Sequence, residues 1–204
     1  MRTAGSRIFL SSMVISVVMA VGLWPTAAGA TAVSPGMSAI ESAERQSPAG
    51  EVVVALTGST PEQALAALPA DFGAVLHYQP QLVNGRPSNP GGACSSPIPL
   101  PDRFEALCKT HDFGYDMLRY AQRHGQPLGP WARTSLDRML IDSMHESCSN
   151  PACHWAADLA RVGLAFNTWR QHAGAPVSKE SLPAIVMTSV LRGGESLTSL
   201  VGLT

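Results

Sequence analysis

The pattern of apolar positions predicts three long helices in the second half of the chain. Apolar and small residues recur every three or four positions in three stretches, and such a repeat predicts a helix with one buried face. The first stretch covers about 104–123, the second about 131–147, and the third follows residue 153 and continues to about 171. A short turn at 125–130 separates the first two, so we expect them to pack as antiparallel neighbours in an all-α fold.

The buried face predicted for the first helix includes a histidine. This face is formed by Leu107, His111, Gly114, Tyr115 and Leu118. The second helix has a face of Leu136, Leu140 and Met144, with Asp137 at its edge. His111 therefore points toward the neighbouring helix, and Asp137 is the candidate partner that would hold its imidazole in one tautomer.

The third helix carries an aromatic face. Its members recur at helical spacing: Trp155, Leu159, Val162, Phe166 and Trp169. A face of this kind is more often core than ligand-binding surface, so we expect it to be buried.

The segments before these helices show weaker patterns. Residues 31–50 are rich in Ser, Ala, Gly and Pro, which predicts disorder, and 51–57 are compatible with a short strand or with an apolar segment packed on the domain. Thr60 and Pro61 have the features of a helix start with threonine as cap, and Pro69 ends that helix. We therefore interpret 31–59 as a flexible segment and 60–172 as the helical domain, with its core at 94–170.

The remaining segments are predicted to be irregular. Residues 79–92 are rich in Pro, Gly and Asn and should form a surface loop, and the prolines at 97, 99 and 101 exclude a helix over 95–102. The mostly apolar stretch 182–191 is too short to span a bilayer. It is either an interfacial helix or a loosely docked part of a tail at 173–204.

The first thirty residues have the features of a secretory signal peptide. Arg2 and Arg7 precede an apolar run at 8–24, and small residues at 28–30 form a cleavage site, so we expect a secreted protein. The remaining 174 residues suffice for one domain, expected to be a monomer, and carry twelve basic and fifteen acidic residues. A formal charge of −3 argues against nucleic acid binding and against purely electrostatic attraction to anionic membranes.

Four cysteines in an exported chain indicate two disulfide bonds. Cys148 and Cys153 enclose a turn between two helices and are natural partners, which leaves Cys94 to pair with Cys108. A zinc site is disfavoured because no two cysteines have the close spacing that such sites use.

Reactive side chains are concentrated over residues 108–116, Cys-Lys-Thr-His-Asp-Phe-Gly-Tyr-Asp. Asp112 and Asp116 lie on one side of the predicted helix, where their charges repel unless a cation binds or water surrounds them. A lone histidine on an apolar face is usually a core residue with a satisfied hydrogen bond. The nearby Cys108, together with Asp137 on the next helix, favours instead a histidine that activates water.

The segment Cys-x-x-His-Asp-Phe-Gly-Tyr resembles the signature of the small secreted bacterial and fungal phospholipases A2. The similarity extends from Cys94 to about residue 170. It implies a disulfide-stapled all-α domain with an antiparallel pair of central helices, with His111 as catalytic base and Asp137 as its orienting partner. It also implies a calcium-assisted hydrolase that cleaves the sn-2 acyl ester of glycerophospholipids at a membrane or micelle surface.

The resemblance also implies a calcium site, which this sequence matches in part. In the family, calcium is held by the aspartate after the histidine, by an aspartate two residues before the first cysteine, and by the carbonyl between them. Asp112 and the backbone carbonyl of Ala93 match two of these ligands, but the third position is Gly92. Either Asp116 or Asp102 replaces the missing carboxylate, or calcium binds weakly, or lipase activity has been lost; we favour the first two.

Two functional hypotheses follow. The first is the phospholipase A2-type hydrolase, and the alternative is a catalytically weak or inactive module of the same scaffold that binds lipids or envelope partners. A serine hydrolase is disfavoured because the chain has no Gly-x-Ser-x-Gly motif. The other histidines are expected to lie in or beside loops (His77, His124, His172) or to be surface or capping residues at the second disulfide (His145, His154).

Overall fold

The computed structural model describes residues 35–96 and 98–200. These residues contain seven α-helices: α1 (Pro35–Arg45), α2 (Pro48–Thr57), α3 (Phe72–Leu76), α4 (Glu105–Arg123), α5 (Pro130–Ser147), α6 (Pro151–Arg170) and α7 (Leu182–Leu200). Strands β1 (Gln81–Val83) and β2 (Arg86–Ser88) form an antiparallel hairpin, and single 3-10 turns lie at Pro61–Leu65 and Asp102–Phe104. The prediction of a mostly helical fold is confirmed, whereas the expected signal peptide lies outside the described residues.

Helices α4 and α5 form the centre of the fold and are antiparallel. Near its start α4 shares an apolar cluster with the end of α5, through Phe104, Cys108, Leu140, Ile141 and Met144. Near its end α4 shares a second cluster with the beginning of α5, through Met117, Leu118, Ala121, Ala132 and Leu136. The predicted buried faces of both helices are therefore correct.

A glycine permits the close approach of these two helices. A Cβ atom at Gly114 would lie 2.3 Å from Cδ2 of Leu136, well inside the contact distance of two carbon atoms. Gly114 lies on the same face of α4 as His111. The missing side chain therefore lets α5 settle against the part of α4 that carries the histidine.

Two disulfide bonds fasten the connections on either side of this helix pair. Cys94 is joined to Cys108 and Cys148 to Cys153, as expected from the sequence. The first bond ties the loop that follows β2 to α4, and a bridge of this loop length is worth about 3 kcal/mol in the chain-entropy model. The second closes the turn between α5 and α6.

The disorder expected at 31–50, and the flexible segment expected up to 59, are wrong for residues 35–57, which form α1 and α2. Ser47 caps α2 by accepting a hydrogen bond from the Gly50 N–H at 3.1 Å, so the polar composition serves a helix start here. Residues 51–57 are helical, which removes the strand alternative, and Val52, Val53 and Leu56 are completely buried in the core. The packed domain therefore begins well before residue 60.

Two local predictions need correction. The predicted helix at residue 60 is only the 3-10 turn Pro61–Leu65, and Thr60 makes no side-chain capping bond. The loop predicted at 79–92 contains the β1–β2 hairpin, whose turn residues Asn84 and Gly85 have φ angles of 51° and 76°. An Asn-Gly pair is the strongest short-range signal for such a turn, and the sequence displays it.

The aromatic face of α6 is exposed, contrary to expectation. Trp155, Val162 and Phe166 are 63%, 64% and 41% exposed, and Leu159 and Trp169 are half-buried. The buried face is formed instead by small residues, Cys153, Ala156 and Ala157. Small side chains allow α6 to lie close to α5, and the disulfide at Cys153 fixes which side of the helix faces inward.

Helix α7 is longer than the apolar stretch predicted at 182–191, and its apolar side faces outward. Leu182, Val186, Met187, Val190, Leu191 and Leu197 are all at least 60% exposed. Its polar side contacts α6, where Arg170 donates to Thr188 Oγ1 at 2.7 Å and Arg192 donates to the carbonyl of Trp169 at 3.2 Å. Among the described residues, no helix has both the length and the apolar character needed to cross a membrane.

A matched pair of valines in α2 tests whether this helix is part of the domain. Val53 is fully buried and Val54 is 41% exposed. We expect Val53→Ala to lower the free energy of unfolding by about 2 kcal/mol, since it removes buried methyl groups and leaves a cavity. Val54→Ala should leave it unchanged within about 0.5 kcal/mol. Urea unfolding measures both variants, and equal effects would show that α2 does not belong to the core.

Candidate active site

The histidine and the aspartate singled out from the sequence are hydrogen-bonded. His111 Nε2 lies 3.0 Å from Asp137 Oδ1, across the contact between α4 and α5. His111 is only 4% exposed, and its ring lies 4.0 Å from that of Tyr115, centroid to centroid. The helix face carrying His111 and the antiparallel arrangement of α5 together produce this contact.

Asp137 accepts two further hydrogen bonds. Tyr115 donates its hydroxyl to Oδ1 at 2.6 Å, and Thr168 on α6 donates to Oδ2 at 2.7 Å. Burial alone would raise the pKa of Asp137, but the bonds from His111, Tyr115 and Thr168 outweigh it, so the pKa lies below its ordinary value. Asp137 is therefore held as a carboxylate.

The roles of Tyr115 and Thr168 as donors to Asp137 were not predicted from the sequence. Tyr115 had a usable signal, because it follows His111 by one helical turn on the same face. Thr168 had none, since its contact with Asp137 depends on how α6 packs against α5.

The second ring nitrogen of His111 is available for chemistry. Nδ1 makes no hydrogen bond to any residue that the structure describes, whereas Nε2 is directed at Asp137. Donation of the Nε2 proton to a carboxylate leaves the lone pair of the imidazole on Nδ1. The pair therefore has the tautomer that a base acting through Nδ1 requires.

A buried arginine supports the tyrosine behind this pair. Arg133 is 1% exposed, and its guanidinium lies 5.2 Å from the centroid of the Tyr115 ring. It donates to the Gln171 side chain at 2.9 Å and to the Gly174 carbonyl at 3.0 Å. Burial, followed by the charge of Asp137, raises the pKa of Tyr115, so its hydroxyl remains a donor.

Asp112 faces the loop that follows the hairpin. Its Oδ2 accepts the N–H of Ala93 at 2.9 Å, and a Cβ atom at Gly92 would lie 2.7 Å from the same oxygen. Burial raises the pKa of Asp112 above its ordinary value, although the Ala93 N–H opposes this shift. Asp112, Gly92 and Ala93 therefore lie together, with the N–H of Ala93 directed at the carboxylate.

The hairpin positions this loop along α4. Ser88 and Thr110 share a buried hydrogen bond of 2.8 Å, and the N–H of Asn89 donates to the Lys109 carbonyl at 2.9 Å. The disulfide of Cys94 closes the other end of the loop. Residues 89–94 thus run beside α4 between two fixed points.

The sequence suggested that Asp116, near Asp112, is either surrounded by water or free to bind a metal ion. The structure shows neither arrangement at Asp116. It is 6% exposed and accepts hydrogen bonds from Arg119 at 2.7 Å and from Tyr78 and Asn89 at 2.8 Å each. The guanidinium of Arg119 compensates its charge. Asp116 is therefore committed to the fold and does not replace the carboxylate missing at Gly92.

The donors in the loop site fall short of a complete metal centre. Asp102 starts a 3-10 turn and lines a separate groove with Cys94 and Glu105. Within the described residues, no group of three or more His, Cys, Asp or Glu side chains is placed to hold a metal ion. A cation at this loop would have Asp112 as its one charged ligand, and backbone carbonyls and water would have to supply the others.

A groove of about 580 Å³ lies between α5 and α6, and Asp137 is one of the residues that line it. Asp137 and Thr168 form part of its wall, next to apolar side chains from both helices: Ile141, Leu164, Ala165 and Trp169. Arg192 of α7 also lines it. His111 is not part of this wall, so the groove borders the pair at Asp137.

None of the other histidines is hydrogen-bonded to this pair in the described part of the chain, although His172 lines the groove beside Asp137. His77 and His124 follow the ends of α3 and α4, and His172 follows α6.

Comparison with family models, with curated proteins and with solved structures finds no match for this chain. Its function must therefore be inferred from the geometry of its own residues.

Thr168→Val tests the hydrogen bonds to Asp137. Because the pKa of Asp137 in the folded protein lies below its ordinary value of 3.8, its ionised form adds stability that is fully present above about pH 3.8 and is lost as pH falls through the folded-state pKa. Removing the Thr168 donor should raise the folded-state pKa of Asp137, so that the pH window of this loss ends at a higher pH and less stability is lost in it.

Carboxyl ¹³C NMR titration measures this pKa directly. Thr134→Val is the matched control, since the Thr134 hydroxyl donates to the Pro130 carbonyl in its own helix at 2.9 Å. An unchanged Asp137 titration in Thr168→Val would show that this bond does not hold the carboxylate ionised.

Proposed function

We propose that this protein is a phospholipase A2-like hydrolase, secreted, that cleaves the sn-2 ester of glycerophospholipids with a water molecule activated by His111. The observation that carries the proposal is the 3.0 Å bond between His111 Nε2 and Asp137, which leaves Nδ1 without a partner among the described residues. A structural histidine in a helical core has no need of an ionised carboxylate with three donors. A general base does need one, since the carboxylate fixes its tautomer and stabilises the imidazolium.

The chemistry follows from the two ring nitrogens. Nδ1 takes a proton from water as the oxygen attacks the ester carbonyl, which forms a tetrahedral oxyanion. Asp137 stabilises the positive imidazole during this step, and its own donors Tyr115 and Thr168 keep it from turning away. Nδ1 then returns the proton to the leaving alkoxide as the ester bond breaks.

Asp112 and the loop at 92–93 are the residues that would hold calcium. The Ala93 carbonyl is the second ligand implied by the resemblance, and water would complete the shell. Bound calcium supplies a positive charge for the oxyanion and the substrate phosphate. The raised pKa of Asp112 fits this role, because a partly buried carboxylate with a single backbone donor is stabilised by a cation.

Exposed apolar surface supports a lipid as substrate. Helix α7 presents six large apolar side chains to solvent, and α6 presents Trp155, Val162 and Phe166. Contiguous apolar surface of this kind marks interaction sites on proteins. The groove beside Asp137 adds an apolar wall close to the proposed active site.

A second candidate is a lipid-binding module of the same scaffold that hydrolyses slowly or not at all. The observation that favours it is Gly92, together with the engagement of Asp112 by the Ala93 N–H. Without a well-held cation, the oxyanion would lose its main stabilising charge. The two candidates share the lipid surface and differ only in turnover.

Hydrolysis of phosphatidylcholine vesicles decides between them. His111→Gln should abolish calcium-dependent release of fatty acid, since glutamine cannot accept the proton. Asp137→Asn should reduce the rate by about 10²- to 10⁴-fold.

His77→Asn is the control for these variants. His77 adopts a left-handed φ of 63°, which asparagine tolerates, so activity should be unchanged. Far-UV circular dichroism checks that all three variants remain helical. Release of fatty acid by His111→Gln at the unmodified rate contradicts the mechanism, whereas vesicle binding without turnover by the unmodified protein supports the binding module.

Gly92→Asp tests the incomplete calcium site. We expect the unmodified protein to bind calcium with a dissociation constant of about 10⁻³ M or weaker, the range of sites with few charged ligands. The new carboxylate would stand next to Asp112, so it should tighten binding at least tenfold once Asp112 shifts to make room.

Gly92→Asn is the matched control, because it adds the same bulk without the charge. Isothermal titration calorimetry measures all three proteins. Tight calcium binding by the unmodified chain would mean that another group already completes the site, and equal affinities of the Asp and Asn variants would mean that calcium does not bind here.

A further inference from the structure

Two histidines that the proposed function does not use point at each other. Nδ1 of His145 and Nδ1 of His154 lie 3.0 Å apart, and the rings are nearly parallel, with centroids 5.3 Å apart. Each side chain is partly buried. Without a metal, one nitrogen must donate its proton to the other, so the pair shares a single hydrogen.

The backbone fixes this arrangement. His145 lies in the last turn of α5 and His154 in the first turns of α6, and the disulfide between Cys148 and Cys153 closes the turn between them. Asn150 caps α6 by accepting the Cys153 N–H at 3.0 Å. The two imidazoles are therefore positioned by the ends of two helices and a covalent bond.

A carboxylate lies behind one of the rings. Asp158 Oδ1 is 3.3 Å from Nε2 of His145, and histidines that bind metals almost always donate their other N–H to a carboxylate, a carbonyl or water. Arg161 also approaches Nε2 of His145, at 3.1 Å, and it pairs with Asp158 at 3.7 Å. Arg161 is more than half exposed, so it can turn toward Asp158 alone when Nε2 donates to that carboxylate.

We propose that His145 and His154 form a two-nitrogen site for a divalent transition-metal ion of the class that prefers imidazole, namely Cu²⁺, Ni²⁺ or Zn²⁺. Two nitrogens at about 2.05 Å from a metal are separated by about 2.9 Å at a right angle and about 3.3 Å at the tetrahedral angle. The observed 3.0 Å lies within this interval. The separation of the two nitrogens therefore suits one ion, and the rings must rotate so that both Nδ1 lone pairs point at it once the shared proton has been released.

The site is open. No third His, Cys, Asp or Glu completes a metal-binding group among the described residues, so water or an external ligand fills the other coordination positions. Calcium is not a competitor, because it prefers oxygen ligands. The site is separate from His111 and Asp112, and it stands or falls independently of phospholipid hydrolysis.

Titration of the full chain, without an affinity tag, with NiCl₂ and ZnCl₂ tests this proposal. Calorimetry should show one site on the unmodified protein, and His145→Gln and His154→Gln should each weaken binding at least tenfold. Asp158→Asn should weaken it less, by up to about tenfold, because it acts through His145. His172→Gln is the matched control, an exposed histidine paired with Glu195, and should bind as the unmodified protein does.

Electron paramagnetic resonance of the Cu²⁺-loaded unmodified protein provides a measurement that needs no variant. Coupling to two imidazole nitrogens is expected, with one lost in either glutamine variant. Absence of nitrogen coupling, or equal metal affinity of the unmodified protein and the His145→Gln/His154→Gln double variant, would overturn the site. Phospholipid hydrolysis should be the same in the double variant, so failure of one proposal leaves the other standing.

Discussion

A side chain larger than hydrogen at Gly114 would collide with Leu136 on α5, since its Cβ atom would lie 2.3 Å from Cδ2, so that either this side chain or the helix would have to shift. The rest of the structure depends on this contact. It brings the neighbour of Leu136, Asp137, within 3.0 Å of His111, and it places the two apolar clusters at opposite ends of the helix pair. The disulfides hold the connecting segments to this pair.

The buried charges around the centre are compensated in different ways. Asp137 accepts hydrogen bonds from three donors on two helices, α4 and α6, and Asp116 pairs with Arg119. Arg170, which is 3% exposed, pairs with Glu180 in the segment before α7. Asp112 differs from these, since its one hydrogen bond among the described residues comes from the Ala93 N–H. That imbalance, together with its position next to His111 in the chain, makes Asp112 the candidate ligand for the proposed cation.

Helices α6 and α7 both have large apolar side chains on the side that faces solvent. On α6, the small residues around Ala156 and Ala157 face α5, because only they allow close contact, and the larger side chains are left outside. On α7, Thr188 and Arg192 make hydrogen bonds to α6, and the apolar side faces outward. Both helices thereby present apolar surface that the domain does not use for its own core.

The three long helices, the cysteine pairing and the helix faces that carry His111 and Asp137 were predictable from the sequence alone. These features depend on periodicity and on short spacings along the chain, which local geometry translates directly into structure. The Asn84-Gly85 pair is an equally clear sequence signal for the turn between β1 and β2. The capped start of α2 at Ser47 was harder to recognise, because a stretch rich in Ser and Pro is typical both of disorder and of helix starts.

Three features could not be predicted, because they depend on tertiary packing. They are the buried face of α6, the hydrogen bond of Thr168 to Asp137, and the hydrogen bonds of Tyr78 and Asn89 to Asp116. The contact between Nδ1 of His145 and Nδ1 of His154 also depends on tertiary packing. Each of these depends on the rotation and distance between separate elements, which are fixed by shape complementarity and by the disulfide bonds. A helical repeat shows which residues share a face, but it does not show which face a neighbouring helix will cover.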